Sequence, residues 1–124
     1  GAMNEMKFEV YPEGMYKIIK QFAKYDIDNI IITENGACFK DVVQDGRVHD
    51  NERISFFNSY LKNVLKAKKE GAPVTGYFVW SLTDNFEWSE GYEPRFGLIH
   101  VDFNTQKRIM KDSGFWFKEF LSEK

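Results

Sequence analysis

Apolar residues follow two different spacings along the chain, and together they predict three helices that alternate with two strands. The first helical pattern begins at Pro12, a residue suited to the first turn of a helix. The pattern returns after Asp50 and again after Asp112 or Ser113, which are candidate N-caps. The apolar positions of these helices are, in chain order, Met15, Ile18, Ile19 and Phe22; Ile54, Phe57, Leu61, Val64 and Leu65; and Phe115, Trp116, Phe117, Phe120 and Leu121.

Two continuous apolar runs lack helical spacing, and they predict the strands. The runs are NIIITE at 29–34 and VTGYFVWSL at 74–82. Continuous β-branched runs are typical of parallel strands covered on both faces. Gly71 and Pro73 mark the end of the helix before the second run. The alternation predicts an α/β fold with a parallel sheet and right-handed crossovers.

Two parallel strands do not form a self-contained sheet, because each exposes an edge of unpaired backbone groups. The 124 residues are enough for one domain. We therefore expect residues 1–3 to be a tag remnant and residues 4–124 to be a single domain that is part of a larger fold.

Composition narrows the classes of function. Hydrophobic residues make up 43% of the chain and aromatic residues 17%, and the net charge is −2 with no basic block. This balance argues against nucleic-acid binding. No apolar run approaches a membrane span. Cys38 is the single cysteine, which indicates a reducing compartment, and we expect a cytoplasmic location. The two histidines and this cysteine have no metal-ligand spacing, so neither a metal nor another cofactor is expected.

The candidate chemistry lies where the two predicted strands end. Glu34 closes the first apolar run, and the second leads into the aromatic and acidic loop TDNFEWSEGYEPRFG. Carboxyl ends of parallel strands share one face, where α/β enzymes bind substrates. Indole rings stack on the apolar faces of sugars, and carboxylates accept short hydrogen bonds from hydroxyl groups. Taken singly, Glu34 also fits a turn residue, and Trp80 and Trp88 also fit packing or rim positions.

The ordered combination of motifs decides between these interpretations. IIITENG at 30–36, followed by GYFVWSLTDNFEWSEGYEPRFGLIHVDF at 76–103, closely resembles the C-terminal end of glycoside hydrolase family 1. This is the β-glucosidase and β-galactosidase family, built on a (β/α)8 barrel. The resemblance extends from Pro12 to Phe120 and implies that the chain supplies helix 6 and strands 7 and 8 with their helices.

The resemblance also implies roles for individual residues. Glu34 matches the catalytic nucleophile, and Trp80 matches the platform beneath the sugar ring. Glu87 matches the carboxylate that grips two sugar hydroxyls, Trp88 matches its neighbour that donates an indole N–H, and Phe96 matches an aromatic lining the subsite. Family members acting on 6-phosphorylated sugars usually carry small residues in place of Glu87 and Trp88. The implied substrates are therefore unphosphorylated β-glucosides or related glycosides.

One half of the family's catalytic pair is missing from the sequence. Retaining glycosidases use a nucleophile and an acid/base carboxyl group, and the family's acid/base motif, T-x-N-E-P, does not occur here. We therefore expect the isolated chain to be inactive and to depend on a missing barrel segment or on self-association. The alternative is a non-catalytic module, a half-barrel that binds sugar or self-assembles.

Overall fold

The computed structural model describes residues 2–3, 9–84 and 94–122, and it has an α/β architecture. The longest elements are three helices: α1 (Pro12–Phe22), α2 (Asn51–Lys69) and α3 (Asp112–Ser122). The two long strands are β3 (Ile30–Asn35) and β7 (Val74–Val79). The remaining strands are short: β1 (Ala2–Met3), β2 (Glu9–Val10), β4 (Phe39–Lys40), β5 (Val43–Gln44), β6 (Arg47–Val48), β8 (Pro94–Arg95), β9 (Ile99–Val101) and β10 (Arg108–Met110).

The helix–strand order confirms the prediction. Strands β3 and β7 pair in parallel, and α2 makes the crossover between them. Pro12 lies in the first turn of α1, and Gly71 adopts a left-handed φ of 104° just after α2. Gly71 fits this position because glycine has no Cβ to resist positive φ.

The short strands form antiparallel pairs around this unit: β1 with β2, β4 with β8, β5 with β6, and β9 with β10. Strands β9 and β10 lie between Phe96 and α3, and β10 was not predicted from the sequence. Asp45 and Gly46 form the turn between β5 and β6, both with positive φ. This turn suits a tight hairpin.

Two groups of buried side chains meet along α2. One joins α2 to α1 and to the start of the parallel sheet: Ile19, Ile32, Val64, Ala67, Ala72 and Val74. The other joins α2 to the chain that follows each strand: Ala37, Phe56, Phe57, Leu61 and Leu98. Phe117 and Phe120 of α3 pack against the second group. Leu65, predicted on the buried face of α2, is exposed, and Phe56 is buried instead.

The prediction that the strands are covered on both faces is wrong for this chain. Ile31 is 50% exposed and Phe78 61% exposed. On α1 only Ile19 is buried, whereas Ile18 and Phe22 are exposed. The helices of this chain cover one face of a two-stranded sheet and leave the other face open.

Candidate active site

The carboxyl ends of β3 and β7 lie side by side, as parallel pairing requires. Ile32 is opposite Tyr77, and Asn35 is opposite Val79, with a register shift between these two pairs. Glu34 lies in the shifted part of β3, is exposed, and has a left-handed φ of 55°. Glu34 is thus presented to solvent at the strand end, where the sequence placed it.

Gly36 allows the chain after β3 to touch the chain after β7. A Cβ added at Gly36 would lie 1.9 Å from the backbone oxygen of Trp80, so no other residue fits without movement. The Trp80 N–H donates a hydrogen bond to the Asn35 carbonyl oxygen at 2.9 Å. Strand β7 ends at Val79 rather than at Leu82, so Trp80 is the first residue beyond it, and its peptide bond to Ser81 is cis. The Trp80 side chain is 38% exposed.

Phe96 joins the same strand-end cluster through its backbone. Its carbonyl oxygen accepts a hydrogen bond from the Ser81 N–H at 3.4 Å, and the Leu98 N–H donates to Ser81 O at 3.2 Å. The structure therefore brings together three of the five predicted site residues, Glu34, Trp80 and Phe96. Glu87 and Trp88 lie outside the described residues.

A buried ionic network connects the segments that follow the two long strands. Its members are three carboxylates and three cations: Asp41, Asp50, Asp84, Arg53, Arg95 and Lys111. Lys111 Nζ lies 2.5 Å from an Asp41 oxygen and 2.7 Å from an Asp84 oxygen. Asp41 lies in the segment that comes after Glu34 in the chain, and Asp84 lies in the segment that comes after Trp80. The ammonium of Lys111 therefore ties together the segments that follow the two long strands.

Asp84 fixes the segment that carries Phe96. Its carboxylate accepts hydrogen bonds from the backbone N–H groups of Gly97 at 3.0 Å and Val101 at 3.3 Å, and from the Arg95 guanidinium at 2.8 Å. Its side chain is fully buried and fully bonded, which argues against a proton donor to a substrate. Arg95 also donates a hydrogen bond to the Val101 carbonyl oxygen at 2.6 Å, so its guanidinium holds the loop backbone in place.

Burial and charge oppose each other in setting the pKa values of this network. Burial acts against the ionised form of Asp84, but Lys111 and Arg95 outweigh it and hold the Asp84 pKa below its usual value. Burial, followed by the nearby Arg53 cation, lowers the pKa of Lys111. Burial likewise opposes the charge of Arg53, yet Asp41 and Asp50 raise its pKa.

The network was missed in the sequence, although α2 carried one signal for it. Arg53 lies four residues before Phe57 and eight before Leu61, so it shares their buried helical face. A charged residue on a buried face requires a partner. Nothing comparable marked Asp41 or Lys111, because their partners come from distant segments.

Neither histidine contributes to the strand-end cluster. His49 Nδ1 lies 2.6 Å from an Asp112 oxygen, near the start of α3. His100 is buried, and burial followed by the Arg95 charge lowers its pKa. Within the described ranges, no group of three His, Cys, Asp or Glu residues could hold a metal ion. No helix in those ranges is long and apolar enough to cross a membrane.

Comparison with known proteins shows the family. The sequence pattern described as glycosyl hydrolase family 1 matches residues 2–124. The chain belongs to this family. β-Glucosidase A of Thermotoga maritima is 54% identical over 118 residues, which are 94% of this chain and 26% of that protein. A 6-phospho-β-galactosidase of Clostridium acetobutylicum is 45% identical over 119 residues, 93% of this chain and 25% of that protein.

The fold of this family 1 chain also matches solved structures. A family 1 β-glucosidase from Thermotoga maritima, in complex with isofagomine lactam, superposes with a TM-score of 0.93 at 50% identity. The match covers 97% of this chain and 28% of that structure. The family 1 chain thus spans about a quarter of the length of the curated relatives that it matches.

Proposed function

We propose that this chain forms part of the sugar-binding site of a retaining β-glycosidase, with Glu34 as the nucleophile. The observation that carries the proposal is the contact between the two strand ends: Asn35 and Gly36, directly after Glu34, touch the backbone of Trp80. A carboxylate and an indole are thereby placed at the same edge of the sheet, where they can meet a bound sugar ring. In this assignment Trp80 and Phe96 line the glycone subsite, and Glu87 and Trp88 bind the sugar hydroxyls.

The reaction follows from the retaining mechanism. The Glu34 carboxylate attacks the anomeric carbon while a second carboxyl group protonates the leaving oxygen. Water then hydrolyses the glycosyl-enzyme with that second group as the base. The two carboxyl groups stand about 5–5.5 Å apart in such enzymes. In our proposal the second group comes from family sequence outside these 124 residues, and general acid–base help of this kind is worth about 10²–10⁴-fold in rate.

The proposed barrel role explains the open face of the sheet. The chain corresponds to helix 6 and to strands 7 and 8, β3 and β7 here, with their helices. Ile31 and Phe78 then face the barrel interior, and other segments cover them. Relatives about four times as long provide the covering sequence. Self-association is the alternative cover, and size-exclusion chromatography with light scattering distinguishes a monomer from such an assembly.

The substrates proposed are unphosphorylated β-glucosides. Similar relatives include both β-glucosidases and 6-phospho-β-galactosidases, so identity over this region does not choose between them. Glu87 favours the unphosphorylated substrates, because its carboxylate would repel a phosphate group at C6 of the sugar. The assay compares an aryl β-glucoside with its 6-phosphate. Glu87→Ser should reduce activity on the first more than on the second, and equal losses would contradict the assignment.

A chimera tests the role of Glu34. The matched quarter of Thermotoga maritima β-glucosidase A is replaced by this chain, and hydrolysis of an aryl β-glucoside is measured. We expect activity in the chimera, loss of at least about 10³-fold with Glu34→Gln, and little change with Glu13→Gln, an exposed glutamate on α1. A 2-deoxy-2-fluoroglucoside should add one sugar mass to the peptide containing Glu34. Label on another residue, or full activity in Glu34→Gln, would refute the assignment.

The isolated chain should not turn over the same substrate. Robust turnover by the 124 residues alone, abolished by Glu34→Gln, would overturn the proposed dependence on other family sequence. Turnover of the same size in the parent chain and in Glu34→Gln would come from a contaminating enzyme, and it should disappear when both proteins are purified further.

A further inference from the structure

Asn35, the residue after Glu34, is held by two groups from the neighbouring strand. Its carbonyl oxygen accepts the Trp80 N–H at 2.9 Å. Its side-chain oxygen accepts a hydrogen bond from the Tyr77 hydroxyl. The backbone and the side chain of Asn35 are therefore both anchored to the second long strand and the residue that follows it.

Glu34 itself lies in a segment that regular pairing does not fix. The β3–β7 register shifts between Ile32 and Asn35, so Asn35 is the first paired residue after the irregular part. Glu34 has the left-handed φ of 55°, a region that residues other than glycine seldom adopt. Such a conformation persists only where its surroundings hold it. The anchor on Asn35 holds the far end of the segment that carries the carboxylate.

Tyr77 is suited to act as a permanent donor. Its ring packs against both groups of buried side chains along α2, and this packing fixes the position of the hydroxyl. A tyrosine hydroxyl is protonated at neutral pH even in water, and burial raises the Tyr77 pKa further. Its partner, the side-chain oxygen of Asn35, has no proton to lose and can only accept.

We propose that Tyr77 is a positioning residue for Glu34, acting through Asn35. The hydroxyl reaches from the second strand to the first and fixes the peptide beyond the carboxylate. This fixes the approach of the Glu34 oxygen atoms to the bound sugar. The inference rests on the proposed nucleophilic role of Glu34, and its structural half can be tested without it.

The structural half is tested on the 124-residue chain. Tyr77→Phe keeps the ring and removes only the hydroxyl, and Tyr25→Phe, at an exposed tyrosine, is the matched control. NMR amide exchange should be about tenfold or more faster at Trp80 in Tyr77→Phe, with shifted signals for Glu34, Asn35 and Gly36. Tyr25→Phe should leave these signals unchanged. Exchange and shifts in Tyr77→Phe identical to those of the parent chain would overturn the anchor.

The functional half is tested in the chimera described above. Tyr77→Phe should reduce kcat and the rate of covalent trapping by the 2-fluoro sugar together, by about 10–100-fold, with KM changed less than about threefold. Tyr25→Phe should match the parent. An unchanged trapping rate in Tyr77→Phe, beside an altered Trp80 amide, would refute positioning and leave the role of Glu34 intact. Full activity in Glu34→Gln would instead refute the proposed function itself.

Discussion

The carboxylate of Asp50, the residue before α2, accepts a hydrogen bond at 2.8 Å from the backbone N–H of Ser113, the second residue of α3. The sequence predicted that Asp50 caps α2, yet it makes no side-chain hydrogen bond to that helix's N-terminus. The other oxygen of this carboxylate accepts two hydrogen bonds, one from the Ser113 hydroxyl and one from the Arg53 guanidinium. Asp50 thus joins the N-termini of two helices, and its negative charge complements the partial positive charge at both.

Replacing this carboxylate by an amide tests the junction. Asp50→Asn should lower the free energy of unfolding by about 1.5–3 kcal/mol, because buried hydrogen bonds to a charged group are lost. Urea denaturation monitored by tryptophan fluorescence measures the loss. Asp45→Asn, at the exposed turn between β5 and β6, should change stability by less than about 0.5 kcal/mol. Equal effects in the two variants would contradict the junction.

The Lys111 ammonium should be essential for stability although it touches no proposed substrate. Lys111→Met leaves the buried Asp41 and Asp84 with fewer cations, and the cost of removing one partner of a buried ion pair is about 3–5 kcal/mol. Many domains are only 5–15 kcal/mol stable, so we expect a large fall in the urea midpoint. Lys62→Met, at an exposed position on α2, is the control. A midpoint for Lys111→Met within error of the control would refute this role.

Gly36 should tolerate no side chain. The Cβ of Gly36→Ala would lie 1.9 Å from the Trp80 oxygen, so the two strand ends must separate. Overpacking of this kind costs about 1–3 kcal/mol, and the Trp80 amide should exchange faster in NMR. Gly14→Ala in α1 is the control: its Cβ would lie 2.7 Å from the Tyr11 ring, but that side chain is exposed and can move aside, whereas the Trp80 backbone cannot. A stable Gly36→Ala chain with a protected Trp80 amide would show that the contact is loose.

Acid should destabilise the chain in two pH windows. The pKa of His100 is lowered, so the unfolded state binds a proton more readily, and stability should fall as pH drops below about 6.5. The pKa of Asp84 is also lowered, so its contribution is present above about 3.9 and is lost as pH falls through the lower folded-state value.

Urea midpoints between pH 3 and pH 8 separate the two windows. His100→Gln should remove the pH dependence of the upper window and leave that of the lower one. Asp84→Asn should destabilise the chain and reduce the slope of the lower window, to which Asp102 and Asp112, whose pKa values are also lowered, contribute the remainder. An upper slope that persists unchanged in His100→Gln would assign it to another group.

The main helices and strands were predictable because the apolar residues of each follow a recognisable spacing along the sequence. Helices α1, α2 and α3 and the two long strands carry repeated or continuous apolar positions that are visible in the sequence, and Glu34 follows from the end of one such run. Two-residue strands such as β4 and β8 contain no period at all. Arg53 of the ionic network contacts both strands, because it donates a hydrogen bond to the Arg95 carbonyl oxygen and lies over the Phe39 ring.

The candidate site was predictable only in part for a related reason. Sequence places Glu34 and Trp80 at strand ends, and parallel pairing then brings those ends together. It does not reveal that Tyr77 bonds to Asn35, because this contact depends on a register shift inside the strand pair. Nor does it show that Lys111 bridges two aspartates, since all three residues come from separate loops.

The segment just after Glu34 contains its own chemical probe. Cys38 is completely buried, two residues beyond Gly36, and is the single cysteine of the chain. A thiol-specific reagent can modify it only after this region opens. The labelling rate therefore reports local opening beside the two strand ends, without any introduced dye or spin label. Comparing this rate with the rate of global unfolding would reveal whether the region unfolds locally before the rest of the chain.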